Sequence, residues 1–303
     1  MGTPAHRLLP DSERIRGRFL QETHRVRSRR ARRILLSLPQ SADTPRRLSS
    51  SPVIVVGMHR SGTSLTARIL QSLGVDMGPD ATHTHHESLS FVMRNRLLLT
   101  AAKADWDHPQ PFLDALGDPA WNRTLALLLE QTIVAPRSWL LRLHEPHPDS
   151  GSSGWGWKDP RSSLTWPLWL ELYPNARFVR VHRNRSDVIS SLTARSRENL
   201  RLQTDLSIRT LTEHGVDSLC SEYVAALASL DSTVDSHRVF DIQYEELLAD
   251  PTATVSSLAE WIGGAHAEVA AAVALVRTTS PNGDVTGIAE RIVPARNGTL
   301  GSR

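Results

Sequence analysis

The stretch Gly57-Met58-His59-Arg60-Ser61-Gly62-Thr63-Ser64 combines the residue types a chain uses to hold a tetrahedral oxyanion. Two glycines five residues apart let the backbone curl so that successive N–H groups face one point. A helix beginning there adds its unpaired N–H groups and the positive end of its dipole. The spacing matches the phosphate loop G-x-x-x-x-G-K-[ST], except that Thr63 stands where the Lys belongs and the cation sits inside the loop, at Arg60. A Lys reaching the β and γ phosphates marks nucleoside-triphosphate chemistry, so its absence counts against an ordinary kinase or NTPase. A second basic segment, Phe178 to Ser191, carries Arg180, Arg183 and Arg185. Guanidinium forks suit a phosphate, but three arginines at such a junction also suit a plain solvated surface.

The elements around these residues set where they can act. Val53-Ile54-Val55-Val56, bounded by Pro52 and Gly57, reads as a fully buried strand of a parallel sheet. Ser61 to Leu73 reads as the helix that follows, with Gly74 as its stop. Helical patterns cover Ser88 to Ala102, Pro119 to Val134, Ser162 to Leu172, Asn184 to Arg195, and about 204 to 230, 244 to 249 and 251 to 262. Further strands are expected at Trp155 to Lys158, Ala176 to His182 and Arg238 to Asp241. The recurring order of strand, loop and helix gives an α/β fold, a P-loop-like parallel sheet flanked by helices. In such sheets ligands bind beyond the carboxyl ends of the strands, where the loops after Val56 and His182 lie.

The loop Arg60-Ser61-Gly62-Thr63-Ser64 after a buried strand resembles the 5′-phosphosulfate loop of sulfotransferases that use 3′-phosphoadenosine 5′-phosphosulfate (PAPS). That resemblance implies that Arg60, Ser61, Gly62, Thr63 and Ser64 hold the 5′-phosphosulfate, with Arg60 stabilising charge on the bridging oxygen. In the family, a second strand-to-helix junction places an Arg at the strand end and a Ser eight residues later, both on the 3′-phosphate; Arg183 and Ser191 stand at that spacing. The family often has Pro where Arg185 stands. Trp157-Lys158-Asp159-Pro160-Arg161 and Tyr244 to Pro251 are similar to further segments of bacterial members. In the second, Asp250 suits a helix N-cap and Pro251 its first turn. The resemblance covers roughly residues 51 to 263.

A base must take the proton of the acceptor hydroxyl as it attacks sulfur in line. Many cytosolic sulfotransferases carry K-x-H, with the His as base; here the triplet is Lys158-Asp159-Pro160. Other members place a Glu upstream, and the stretch Thr82 to Ser88 matches that location. Glu87 is therefore the first choice for the base, with Asp159 and His86 behind it. Read as structure alone, Glu87 is a carboxylate favourable to a helix dipole. By resemblance Lys158 neutralises charge at the leaving oxygen. His83, His85 and His86 lack the four-ligand spacing of a structural zinc site, and no metal is expected.

The whole chain sets outer bounds. Its 303 residues suffice for one large α/β domain with a well-buried core, and 40% apolar and 22% charged residues are ordinary for a soluble protein. The formal net charge is +3, and the bases are nearly all Arg, which suits an anionic ligand without arguing for nucleic acid. The lone Cys220 forms no internal disulfide and reads as a buried or half-buried helix thiol. No run is long enough to span a membrane and no secretory signal is recognisable, so a cytoplasmic protein is expected. Residues 1–48, with twelve Arg and four acids, read as a basic, partly helical or disordered extension, open to membrane-surface or other acidic contacts. By the resemblance, residues 49–303 are expected to form a single sulfotransferase domain.

The expected cofactor is PAPS, with PAP (3′-phosphoadenosine 5′-phosphate) as its product. The expected partner is a small-molecule or glycan acceptor, with a lean towards a carbohydrate or glycolipid hydroxyl. Most tryptophans read as core, though Trp106, Trp121, Trp139, Trp155, Trp157, Trp166 and Trp169 include candidate stacking faces. A P-loop small-molecule kinase and a non-catalytic PAPS- or PAP-binding module stand as alternatives.

Overall fold

The computed structural model describes residues 45–78, 86–134, 154–202, 213–263 and 268–277. The basic arm up to residue 44, the segment Thr82 to His85, Trp139, the start of the helix expected at 204 and the tail from Thr278 lie outside the described residues.

Four parallel strands form one sheet in the order β2-β1-β3-β4: β1 Val53–Gly57, β2 Gly156–Lys158, β3 Arg177–His182 and β4 Val239–Gln243. All five residues of β1 are buried, as its β-branched run and central position require. Alternation divides it between two cores. Val53 and Val55 face one, with Val179, Val181 and Ile242; Ile54 and Val56 face the other, with Phe178.

The first core is roofed by α1 (Thr63–Ser72), α10 (Pro251–Ile262) and α11 (Val269–Arg277), which contribute Leu65, Ile69, Leu70, Val255, Leu258 and Val273. The opposite core is covered by α2 (Leu89–Ala101), α3 (Gln110–Gly117), α4 (Pro119–Val134), α5 (Ser162–Leu172) and α7 (Glu213–Ala228). Helix α6 (Arg185–Leu202) follows β3 directly, α8 (Leu230–Thr233) precedes β4, and α9 (Tyr244–Ala249) leads from β4 into α10. Asp250 caps α10, accepting from the Ala253 N–H at 3.0 Å, with Pro251 in the first turn.

The approach to β1 is tied to the domain: the Leu48 N–H donates to the Leu172 carbonyl at 2.8 Å, and Leu48 packs on the core. Two expectations shift. Helix α6 runs seven residues past the expected end at Arg195, because its polar sequence contains no Gly or Pro to stop it. Helices α3 and α11 were not expected. Both are short, at eight and nine residues, and alanines fill much of the exposed face of the second, so the apolar stripe that each buries is brief.

The tryptophans are chiefly core. Trp157 stacks on Phe91 at 4.0 Å and meets Trp169 at 4.7 Å, and Trp155, Trp157, Trp166 and Trp169 are all buried, whereas Trp121 is exposed. Cys220 is a buried free thiol in α7.

Candidate active site

The sheet order creates a switch point. From β1 the chain travels to the edge strand β2, then returns to β3 on the other side of β1. The crevice where connections diverge lies at the carboxyl ends of these strands, and Gly57, Lys158 and His182 are those ends.

The loop after β1 is held in a shape few sequences allow. Gly62, the N-cap of α1, has φ 104°, and a Cβ there would run into the Tyr244 ring, so position 62 needs glycine on both counts. No side chain caps α1, whose first turn begins at Thr63. Arg60, at φ 68°, also sits in the left-handed region. Thr63 is buried and supplies no cation where a triphosphate loop has its Lys.

The base of the loop is clamped by Ser163 in α5. The Gly57 N–H donates to Ser163 Oγ at 2.8 Å, and that hydroxyl donates to the Gly57 carbonyl at 2.9 Å. Ser163→Ala is expected to leave buried backbone groups without these partners and to cost about 1–3 kcal/mol. The check is a lowered denaturant midpoint at unchanged m-value.

Two clusters gather the candidate residues. In the first, Arg60 Nε donates to Ser191 Oγ at 2.9 Å, and Arg183 Nη1 donates to the Arg60 carbonyl at 3.0 Å. The Arg183 guanidinium lies over the Tyr244 ring, 4.7 Å from its centroid. In the second, Lys158 Nζ donates to Ser64 Oγ at 3.1 Å and to Glu87 Oε1 at 3.0 Å. Lys158 is 2% exposed and Glu87 15%, so the pair sits largely out of solvent, where Coulomb terms are strong.

The three arginines around β3 have separate tasks. Arg180 is engaged by Asp241 and Asp231, and Arg185 ties α6 to Asp217 and Ser221 on α7. Only Arg183 of the three turns to the loop. Asp159 is fully buried; Oδ1 accepts from the Arg161 backbone at 3.1 Å and its guanidinium at 2.8 Å, and Oδ2 accepts from Asn95 Nδ2 at 2.9 Å. Its carboxylate thus anchors the end of β2, and with it the position of Lys158. His86 is half-buried beside Glu87, in a left-handed conformation at φ 48°.

Sequence reasoning missed the supports. Tyr244 braces both Gly62 and Arg183, while Glu245 Oε1 accepts from the Asn184 N–H at 2.9 Å at the entrance to α6. Their signal was the Tyr-Glu-Glu-Leu segment itself, whose sequence does not say which strand-to-helix junction it braces. Ser163 gave no signal, being 106 positions from its partner.

His59 is the other omission. It is 8% exposed, and its Nε2 has no hydrogen-bond partner among the described residues. Burial pushes its pKa well below 6.5; Arg161, Arg195 and Lys158 act in the same direction and Glu87 against it. The folded protein therefore keeps His59 neutral in a range where the unfolded chain takes up a proton, so this group lowers stability as pH falls below about 6.5. His59→Phe removes that term. Melting temperatures from pH 7 to 5 should show the variant gaining on the wild type as pH drops.

The groups that can face an anion form a consistent set. Buried Ser61 Oγ and the Arg183 Nε have no partner among the described residues, and both lie on the loop or against it. Unpaired polar atoms on and against a loop that also carries Arg60 suit a ligand with several anionic oxygens.

Comparison with known proteins follows the same line. A family model described as "Sulfotransferase family" matches residues 52–268. Sulfotransferase STF1 from Mycobacterium tuberculosis H37Rv is similar at 17% identity and a TM-score of 0.48, covering 82% of this chain and 76% of its own. Sulfotransferase STF9 from Mycobacterium avium is 19% identical with a TM-score of 0.44, over 89% of this chain and 78% of its own. Mouse sulfotransferase SULT7A1, solved complexed with PAP, is 13% identical with a TM-score of 0.41, over 76% of this chain and 65% of its own. None of the curated proteins matches the chain.

Proposed function

The chain belongs to the sulfotransferase family, and on that premise we propose that it transfers a sulfuryl group from PAPS to an acceptor hydroxyl by in-line displacement, with Glu87 as the base. The observation that carries this reading is the position of Lys158 Nζ, bonded at once to Ser64 of the loop and to Glu87. One cation thereby touches both the anion-holding loop and the proton acceptor.

PAPS, when bound, supplies an activated sulfuryl group whose leaving group is already a phosphate. The chain's own residues then divide the work. Ser61, Gly62, Thr63 and Ser64 hold the 5′ end of the nucleotide at the start of α1, and Arg183 and Ser191 hold the 3′-phosphate. Arg60, hydrogen-bonded to Ser191, joins the two regions and offsets negative charge at the bridging oxygen. The Lys158 ammonium neutralises charge at the same oxygen. Glu87 accepts the proton of the attacking hydroxyl, and its pairing with Lys158 fixes its direction. Asp159, fully engaged by Arg161 and Asn95, is the scaffold of this arrangement rather than its base.

The acceptor is proposed to be a carbohydrate or glycolipid hydroxyl, on the strength of the arginine form of the loop. Residues 49–303 are taken as the catalytic domain and 1–48 as its basic extension. The test is release of PAP from PAPS in the presence of a panel of methyl glycosides, a glycolipid and 4-nitrophenol. Turnover with a glycoside or glycolipid supports the reading. Turnover with 4-nitrophenol alone overturns the acceptor class, and PAP binding without turnover on any of them overturns catalysis.

A further inference from the structure

The assignments above leave His59 without a task, although it lies in the loop next to Arg60. Its ring is fixed on two sides. The Trp106 ring is 4.6 Å away, tilted by 51°, and the Tyr223 ring is 5.9 Å away, edge-on. The Tyr223 hydroxyl donates to the Trp106 carbonyl at 3.1 Å, locking these two elements together behind the imidazole. Packing between two rings sets the orientation of the imidazole, and its buried Nε2 has no partner among the described residues. An unsatisfied buried nitrogen costs about 1–3 kcal/mol, so one kept in an anion-holding loop calls for a partner, and a bound ligand can supply it.

His59 precedes Arg60, whose guanidinium reaches Ser191, in the same loop whose Ser64 accepts from Lys158. The imidazole is thus carried by the loop assigned to the transfer chemistry, and Glu87 and Lys158 are among the charges that act on it. Its neutrality makes it a weak proton acceptor and a suitable neutral donor, able to meet an anionic oxygen without adding a charge that Lys158 and Arg60 already supply.

We propose that His59 Nε2–H donates a hydrogen bond to a non-bridging oxygen of the sulfuryl group, so that the loop reads the group being transferred as well as the phosphate that carries it. The inference rests on the sulfuryl-transfer reading and adds a contact that only the donor, not the product, completes. Charge on the outer oxygens of a group in transit is stabilised by donors fixed in advance, and a wedged ring is such a donor.

The test compares PAPS with PAP by calorimetry, without acceptor, for wild type, His59→Phe and His59→Gln. Wild type is expected to bind PAPS more tightly than PAP. His59→Phe is expected to lose about tenfold in PAPS affinity while PAP affinity stays within about twofold. His59→Gln, which keeps an N–H on a polar side chain, is expected to recover part of the loss. The unliganded melting temperature of His59→Phe at pH 7 should not fall, because an apolar ring replaces an unpaired nitrogen. An unchanged PAPS-to-PAP ratio in His59→Phe overturns the proposal. So does a parallel loss of PAP affinity with a lower melting temperature, which assigns His59 to loop structure. If wild type binds neither nucleotide, the sulfuryl-transfer reading has itself failed and this inference falls with it.

Discussion

Glu87→Gln is expected to lower the turnover number by about 10²- to 10⁴-fold, the range a positioned base contributes, while PAP affinity stays within about twofold. The amide keeps the shape of the carboxylate, and its carbonyl oxygen still accepts from Lys158 Nζ, which lies 3.0 Å from Glu87 Oε1 in the native protein. The variant therefore removes proton acceptance and little else. Steady-state kinetics with PAPS, paired with PAP calorimetry, separates the two effects. Full turnover in Glu87→Gln would reduce Glu87 to a counter-ion for Lys158 at the entrance to α2.

Lys158→Met has the second large effect. Methionine matches the length of the stem and removes the charge. Lys158 is 2% exposed, and its ammonium is directed at Ser64 and Glu87. Loss of a fixed cation at a developing oxyanion is expected to cost about 10²- to 10³-fold in turnover. PAP affinity should fall less, since Arg60 and Arg183 remain. The two substitutions act on one hydrogen-bonded unit, so the double variant should lose far less than the product of the single losses. Multiplicative losses would show that the two groups act independently.

The strand, glycine loop and helix around Arg60 were legible in the sequence because their determinants are local. A β-branched run, two glycines and a following helix lie within a few residues of one another, and the parallel strand is recognisable by its unbroken apolar character. The Asp250-Pro251 helix start was legible for the same reason, and Arg183 and Ser191, eight residues apart on one junction, both come to contact Arg60. Groups joined through the fold were not. Ser163 reaches Gly57 across 106 positions, and Asn95 reaches Asp159 across 64, so no spacing rule connects them. The three arginines near β3 look alike in sequence. Acidic partners on β4, α7 and α8 remove two of them from consideration, and those partners are visible only when the elements pack. His59 passed unnoticed because a histidine inside a glycine loop implies nothing until its neighbours are known to leave Nε2 unpaired. The unexpected α11 shows another limit, since its buried face of Ala272, Val273 and Val276 is set among exposed alanines that blur the contrast a sequence can display.

The most direct test of the central claim is calorimetric titration with PAP of wild type, Arg60→Ala and Arg183→Ala, with ATP as the control ligand. Micromolar PAP binding by wild type is predicted, weakened at least about tenfold in each variant, with ATP binding much more weakly. Failure of wild type to bind PAP, or a preference for ATP with Mg²⁺, would contradict the account and return the loop to phosphoryl chemistry.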